Sequence, residues 1–545
     1  MAQVGLAMPG FIGIRRKSVV RTSLQKRRHR GVVLAVAASV AVALISAGPV
    51  LARDARPGQT QVSPAGKAVG AAVTRHDAPL STTKRMMRTI KDLVAMGPRK
   101  TGTPAGRKAA QYVAKELRKA GMDKVWIEKA TSYSWKARDF GLSVGGTKVP
   151  VQPVGFSMIS SPTATGVRTL GPKGLTAPVV DLTKNPLANP QGKIAIVDLK
   201  FQLPLVALVP FMEYLYDPKF EALDLKTLLT ANPYITSLSS TIKQLQAKGA
   251  VGVIGVLSDY FDSDKYRNEY YRRTPMNLPG MWITANNATK LRALLAKDPN
   301  ATMRLTTVRK KVTTRVPIGI LKGATKDTIM VQSHHDSVTP GAVEDGTGVA
   351  EVLALARYYG ALAKKAPQRQ KTLMFTTMDS HFTGYQAHMA FVDKYIKNPK
   401  SPYHIVANTT IEHIARKGVI KNGKLVITKQ SEPKAIFENV SLKLKGEVAR
   451  AIKAHNLHGT ALLNGTLFQL LSLPTDAAFV QSAGVPTLSL ISGPVYLYDD
   501  ADTIKAVDKP QLRPVLAAER DLVDAFEATP SKQIGFLPFT LPALL

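Results

Sequence analysis

Residues 327–359 read DTIMVQSHHDSVTPGAVEDGTGVAEVLALARYY, and their pattern decides the fold. The apolar run from Thr328 to Gln332 predicts a short buried strand. Val349, Val352, Leu353 and Ala356 recur at the spacing of one helical face, which predicts a helix beginning near Thr347. Strand-to-helix loops at the carboxyl edge of an α/β sheet are where such folds place ligands and catalysts. This loop carries His334, His335, Asp336, Glu344 and Asp345, all able to bind a metal or move a proton. The competing reading is an ordinary solvated polar loop. Asp345 is expected to cap the helix, and His335 to point away from His334 by strand alternation.

Working outward, LMFTTMDSHFTGYQAH (373–388) predicts a strand leading into a loop with Asp379 and His381. HIVANTTIEHIARKG (404–418) predicts a strand ending at Glu412-His413. A helix over 443–454, the loop PTDAAF (474–479), a strand over 486–493, the loop PVYLYDDADT (494–503) and a closing helix over 514–526 follow. Strands alternating with helices over 311–530 imply an α/β domain, a mainly parallel sheet with helices on both faces. Acidic or histidine residues recur just after four of its strands.

Upstream, one helix ends at Gly97-Pro98 and a second begins at Thr103-Pro104, a hydroxyl cap followed by proline in the first turn. Residues 124–128 read as a strand. From about 140 to 310 short strands and turns predict a β-rich insertion, with an aromatic excursion over 201–234. The expected division is therefore 1–52 export signal or anchor, 53–80 spacer, 81–139 first part of the α/β domain, 140–310 insertion, 311–530 main part, and 531–545 tail.

Composition narrows the chemistry. The 545-residue chain has no cysteine, which excludes disulfides, thiol catalysis and cysteine-ligated zinc, so a metal must sit on His, Asp and Glu. The net charge of +36 is spread along the chain without a nucleic-acid recognition motif. It suits acidic substrates or a negatively charged envelope, and no nucleic-acid partner is expected. Residues 31–52, GVVLAVAASVAVALISAGPVLA, follow a basic head and read as an export signal cleaved after Ala52. The alternative is an uncleaved membrane-anchoring helix, since the run is long enough to span a bilayer.

These residues together resemble the zinc exopeptidase family that includes bacterial aminopeptidase S, glutamate carboxypeptidase and the transferrin receptor ectodomain. The resemblance rests on His334-His335-Asp336-Ser337, GAVEDGTG (341–348), Met378-Asp379, Glu412, and Asp499 before Asp502-Thr503. MGPRKTGTPAGRKAAQYVAKELRKAG (96–121) is similar to the family's opening, and the 140–310 insertion to its protease-associated domain. The resemblance implies an exported metallopeptidase that removes residues from peptide ends with metal-activated water. It implies one or two divalent ions on His334, Glu344, Asp379, Glu412 and Asp499, and catalytic roles for Asp336, Asp379 and His381.

The motif departs from the family's pattern in residue type. Glu344 stands for the bridging Asp, Asp379 for a ligating Glu, Glu412 for a second-metal Asp, and Asp499 for the last ligating His; one register puts Met378 in the general-base position, and a register shifted by one puts Asp379 there and leaves Ser380 as a poor ligand. One histidine among four carboxylates would hold zinc less selectively and suit manganese, magnesium or calcium as well. His381, His413 or Asp379 is then the expected base. Two alternatives stand beside this expectation: a catalytically inactive binding protein on the same fold, or an amidohydrolase or cyclase using the same centre.

Overall fold

The computed structural model describes residues 78–535 except 200, 221–223, 230, 269–275, 367 and 469–472. The export signal or anchor expected over 1–52, most of the spacer and the last ten residues of the tail lie outside the described residues. Among the described residues no helix is long and apolar enough to cross a membrane.

The run around Val331 does form a strand, Asp327–His334, and every residue after Asp327 in it is buried. It lies inside a nine-stranded sheet. From one edge the strands are Lys124–Glu128, Val316–Leu321, Thr372–Met378, Asp327–His334, His404–Ile411, Thr487–Ser492, Lys434–Glu438, Thr460–Asn464 and Met212–Tyr216. The four central ones, from Thr372–Met378 to Thr487–Ser492, are mutually parallel. Antiparallel strands flank them. Both faces of these central strands are buried, so they lack the alternation of burial that a half-exposed strand shows.

The helix after the signature loop spans Gly346–Leu362, and Asp345 caps it by accepting from the Gly348 amide. Pro104–Lys119 has Thr103 as its cap and proline in its first turn. The closing helix is longer than the sequence predicts, Lys509–Ala528. Pro514 sits inside it, only one turn and a half from its start, so the pattern beginning at Pro514 missed the first turn.

The inserted region forms a second nine-stranded sheet whose longest strands, Thr131–Val144 and Asn300–Thr313, are paired along their length. Within the β-rich region, residues 280–295 divide into a strand, Gly280–Thr284, and a helix, Ala285–Leu295, capped by the Thr284 hydroxyl. The insertion is also less separate than the sequence implies. Met212–Tyr216, within the aromatic excursion, leaves it and pairs antiparallel with Thr460–Asn464 as the outermost strand of the first sheet.

Candidate metal centre

The carboxyl ends of the parallel strands deliver the polar groups to one place. His334 ends its strand, and its Nε2 stands 3.3 Å from Glu344 Oε1. His413, two residues past the neighbouring strand, brings Nε2 to 2.7 Å from Glu344 Oε2. His381 follows the strand Thr372–Met378, and its Nε2 is 3.8 Å from Glu344 Oε1. Three imidazoles therefore converge on one carboxylate, and the rings of His334 and His381 stack with centroids 4.2 Å apart.

Each of these side chains is held from behind. The Nδ1 atoms of His334 and His413 face the carbonyls of Asp336 at 3.0 Å and Ser492 at 2.8 Å, leaving Nε2 pointing inward. His413 has φ +58°, a left-handed backbone that costs energy for a non-glycine residue. It is pinned there by its own amide on Asp345 and by the Ser492 hydroxyl on its carbonyl. Glu344 is placed by Asp502, whose carboxylate accepts from the Val343 and Glu344 amides at 2.8 and 3.0 Å. Arg99, fully buried, donates to the carbonyls of His335, Pro340, Gly341 and Glu344 and so shapes the whole loop. Nothing in the helix it follows marked that arginine as special in the sequence.

A second set stands beside the first. Asp476 Oδ1 is 2.8 Å from His381 Nδ1, and its Oδ2 is 2.9 Å from His388 Nε2. The Asp476 amide donates to Glu412 Oε1 at 3.1 Å. His381 Nε2 also lies 3.4 Å from the Tyr498 hydroxyl. His334 with Glu412 and His413, and His334 with His381 and Asp476, each offer three ligand atoms within 4.8 Å of one another.

The electrostatics follow from packing so many acids with histidines. Burial opposes the charge on Glu344, yet His413 and His334 hold its carboxyl well below the ordinary glutamate value. Burial pulls His413 down, but the Glu344 carboxylate outweighs it and raises the imidazole to about 9. His334 is likewise raised well above its usual value against burial, chiefly by Asp476. Burial, reinforced by Asp476, pushes Glu412 up to about 8. The clustered carboxylates thus set a negative potential at the ring nitrogens of His334 and His413.

The donor set fits a divalent ion. His334 Nε2, His413 Nε2, both oxygens of Glu344 and Glu412 Oε2 are buried without a hydrogen-bond partner, since even the close histidine–glutamate pairs lack hydrogen-bond alignment. Buried polar atoms are seldom left orphaned unless something else satisfies them. Imidazole nitrogens with carboxylate oxygens are a zinc-type donor set.

Of the residues expected from the sequence, His334, Glu344, Glu412 and His381 meet here. Asp379 and Asp499, expected as ligands, do not. Asp379 accepts from the Thr101 hydroxyl and from the Arg315 and Ser380 amides, so both its oxygens are used; burial raises it to about 7. Asp499 accepts from the Ser263 hydroxyl and the Ala501 amide. Asp336, expected to be catalytic, accepts from Thr101 and from the His381 and Phe382 amides and lies 3.6 Å from His334 Nδ1, a supporting position. His335 turns to Thr377, as alternation requires. The expected oxygen-rich centre, one histidine with four carboxylates, is corrected to one with three histidines. His413 and Asp476 supply what Asp379 and Asp499 do not. Met378, which one register sets at the general-base position, is packed among apolar side chains.

Comparison with known proteins agrees with this fold. The Peptidase family M28 profile matches residues 318–523. The chain is similar in fold to BSAP, a zinc aminopeptidase from Bacillus subtilis, at 19% identity and TM-score 0.58, covering 84% of this chain and 99% of that one. It is similarly related to a Peptidase M28 precursor from Shewanella amazonensis SB2B, at 20% identity and TM-score 0.59 over 84% and 95% of the two chains. An aminopeptidase from Aneurinibacillus sp. strain AM-1 matches at 17% identity and TM-score 0.53 over 85% and 96%. No curated protein matches the chain.

Proposed function

With residues 318–523 belonging to Peptidase family M28, we infer that this chain is an exported metal-dependent exopeptidase of aminopeptidase type. The observation that carries the reading is the set of five orphaned donor atoms on His334, Glu344, Glu412 and His413 at the ends of parallel strands. These four residues would hold one divalent ion, with zinc the first candidate because two nitrogens are offered beside the carboxylates. Such an ion lowers the pKa of water and polarises a carbonyl.

The chain's own residues supply the proton chemistry. Asp476 fixes the ring of His381 through Nδ1, so Nε2 faces the centre and can take a proton from the attacking water and return it to the leaving amine. The Tyr498 hydroxyl beside that nitrogen is placed to donate to a developing oxyanion. Met378 has no atom that accepts a proton, and in this reading His381, held by Asp476 and facing the centre, carries it. Burial of the cluster excludes bulk water and strengthens these interactions. Export is supported by the basic head and apolar run of residues 1–52, with an uncleaved anchor as the variant of the same route.

The test is elemental analysis of protein dialysed against zinc, manganese and cobalt, followed by hydrolysis of an aminoacyl-anilide panel under the metal that binds. One bound ion per chain with turnover is expected. His381→Gln should keep the ion and lose turnover, whereas Glu344→Gln should lose both. The burial of Met378 favours a second reading, a metal-binding protein on the peptidase fold without hydrolysis; a stoichiometric ion with no turnover on any peptide would select it.

A further inference from the structure

A cavity of about 610 Å³ adjoins the cluster and is not part of it. Phe382 is its shared wall: the ring lines the cavity and sits 4.9 Å from the His381 ring and 5.2 Å from that of Tyr498, centroid to centroid. Thr101, also in the lining, is the residue whose hydroxyl reaches Asp336 and Asp379. On the insertion side the lining includes Arg267, whose backbone amide donates to the Tyr498 carbonyl at 2.7 Å. The cavity is therefore tied on two sides to loops that carry the candidate chemistry.

Its charge is one-sided. Lys100, Lys136 and Arg267 line it, and among the described residues no carboxylate does. The Arg267 guanidinium is 4.0 Å from Asp500, the outer limit of an ion pair, and that aspartate is half exposed. Lys100 is drawn down from the ordinary lysine value by burial first and then by the neighbouring cations Arg267 and Lys136, with Asp500 only partly opposing them. Lys100 and Lys136 are exposed and Arg267 half-buried, and cations gathered around one concavity repel one another unless an anion joins them. Trp135, Phe140 and Phe156 supply apolar surface around this charge, the usual make-up of a site that orients a ligand by a few polar groups.

We propose that this cavity binds a carboxylate of the peptide substrate, with Lys100, Lys136 and Arg267 as its recognition groups and the aromatic side chains packing the rest of the peptide. The inference rests on the peptidase reading and gives it a substrate class: short peptides bearing an acidic side chain or a free carboxyl terminus next to the bond cleaved. Lys100 and Lys136 are specificity residues, since neither touches the metal-type donors.

The test uses full-chain protein loaded with zinc and three peptides whose scissile bond is N-methylated to block cleavage: Ala-Ala amide, Ala-Glu amide and Ala-Ala with a free terminus. Titration calorimetry should show one or both carboxylate-bearing peptides binding about tenfold or more tightly than the neutral amide, the size of a charge-assisted hydrogen bond. Tight binding of Ala-Glu amide alone assigns a side-chain carboxylate, and of free Ala-Ala alone a carboxyl terminus. In Lys100→Met with Lys136→Met, and separately in Arg267→Gln, the preference should fall to about threefold or less while zinc content and thermal unfolding stay unchanged. Equal binding of all three peptides, no binding of any, or a preference that survives the substitutions would overturn the proposal. Hydrolysis of the unmethylated peptides is scored separately: preference without turnover retracts the peptidase reading and keeps the carboxylate site, and turnover without preference does the reverse.

Discussion

His413 Nε2 lies 2.7 Å from Glu344 Oε2 while His334 Nε2 approaches the other oxygen at 3.3 Å. His334 ends one strand and His413 follows its parallel neighbour, so a single carboxylate is clamped between the ends of two adjacent strands. Glu344→Gln keeps the shape of the side chain and removes its charge. Metal affinity is expected to fall by at least about 100-fold, beyond the effect of losing an outer partner, as read by competition with a chelator. Retention of the ion at wild-type affinity would dismiss Glu344 as a ligand.

Asp476 and Asp499 separate the geometry from the motif. Asp476→Asn removes the carboxylate that fixes His381 and His388, and a loss of turnover of roughly 10- to 100-fold is expected. Asp499→Asn should leave metal content unchanged, because its oxygens serve Ser263 and Ala501. The comparison is metal content and turnover of the two variants side by side; a larger metal loss in Asp499→Asn would reverse the assignment.

Arg99→Leu should cost about 3 kcal/mol in denaturant unfolding, since several buried carbonyls of one loop lose their donor together. Lys at the same position is expected to restore little of it, because one ammonium cannot reproduce the planar fork. A midpoint within 0.5 kcal/mol of wild type, a figure of roughly the size of ordinary surface changes, would show that the loop holds itself.

Glu519 and Glu351 give a pH dependence away from the centre. Both are fully buried; burial raises Glu519 to about 7 despite the Thr409 hydroxyl bond, and raises Glu351 well above its ordinary value with Glu519 adding to it. An acid whose folded pKa is raised keeps its proton in the folded state where the unfolded chain has lost it. Glu519 thus makes stability fall as pH rises from about 4.5 to about 7, with no further change above. Glu519→Gln should remove roughly 3 kcal/mol of that decline. Unfolding free energies of both proteins at pH 5 and pH 8 check this; equal slopes would place the Glu519 pKa near its usual value.

The fold was legible because its signals are local. The apolar run ending at His334, the Asp345 cap and Thr103-Pro104 each specify an element through nearby residues. The centre was half legible. Glu412 and His413 are neighbours that a regular strand would send to opposite faces, and the left-handed backbone at His413 turns both inward. Asp476 lies in a loop with no periodicity, and only packing brings it under His381 and His388. In the last loop it is Tyr498, one residue before the expected Asp499, that faces His381; a one-residue register is beyond what spacing alone resolves.

The two outermost strands of the first sheet, Lys124–Glu128 and Met212–Tyr216, both come from outside residues 318–523. Cut down to that span, the protein would present two rows of bare amides and carbonyls, a template for stacking copy upon copy. The stretch that holds the chemistry is thus kept from self-association by strands made earlier in synthesis. Substitutions that loosen Met212–Tyr216 should appear as aggregation during expression well before they appear as altered kinetics.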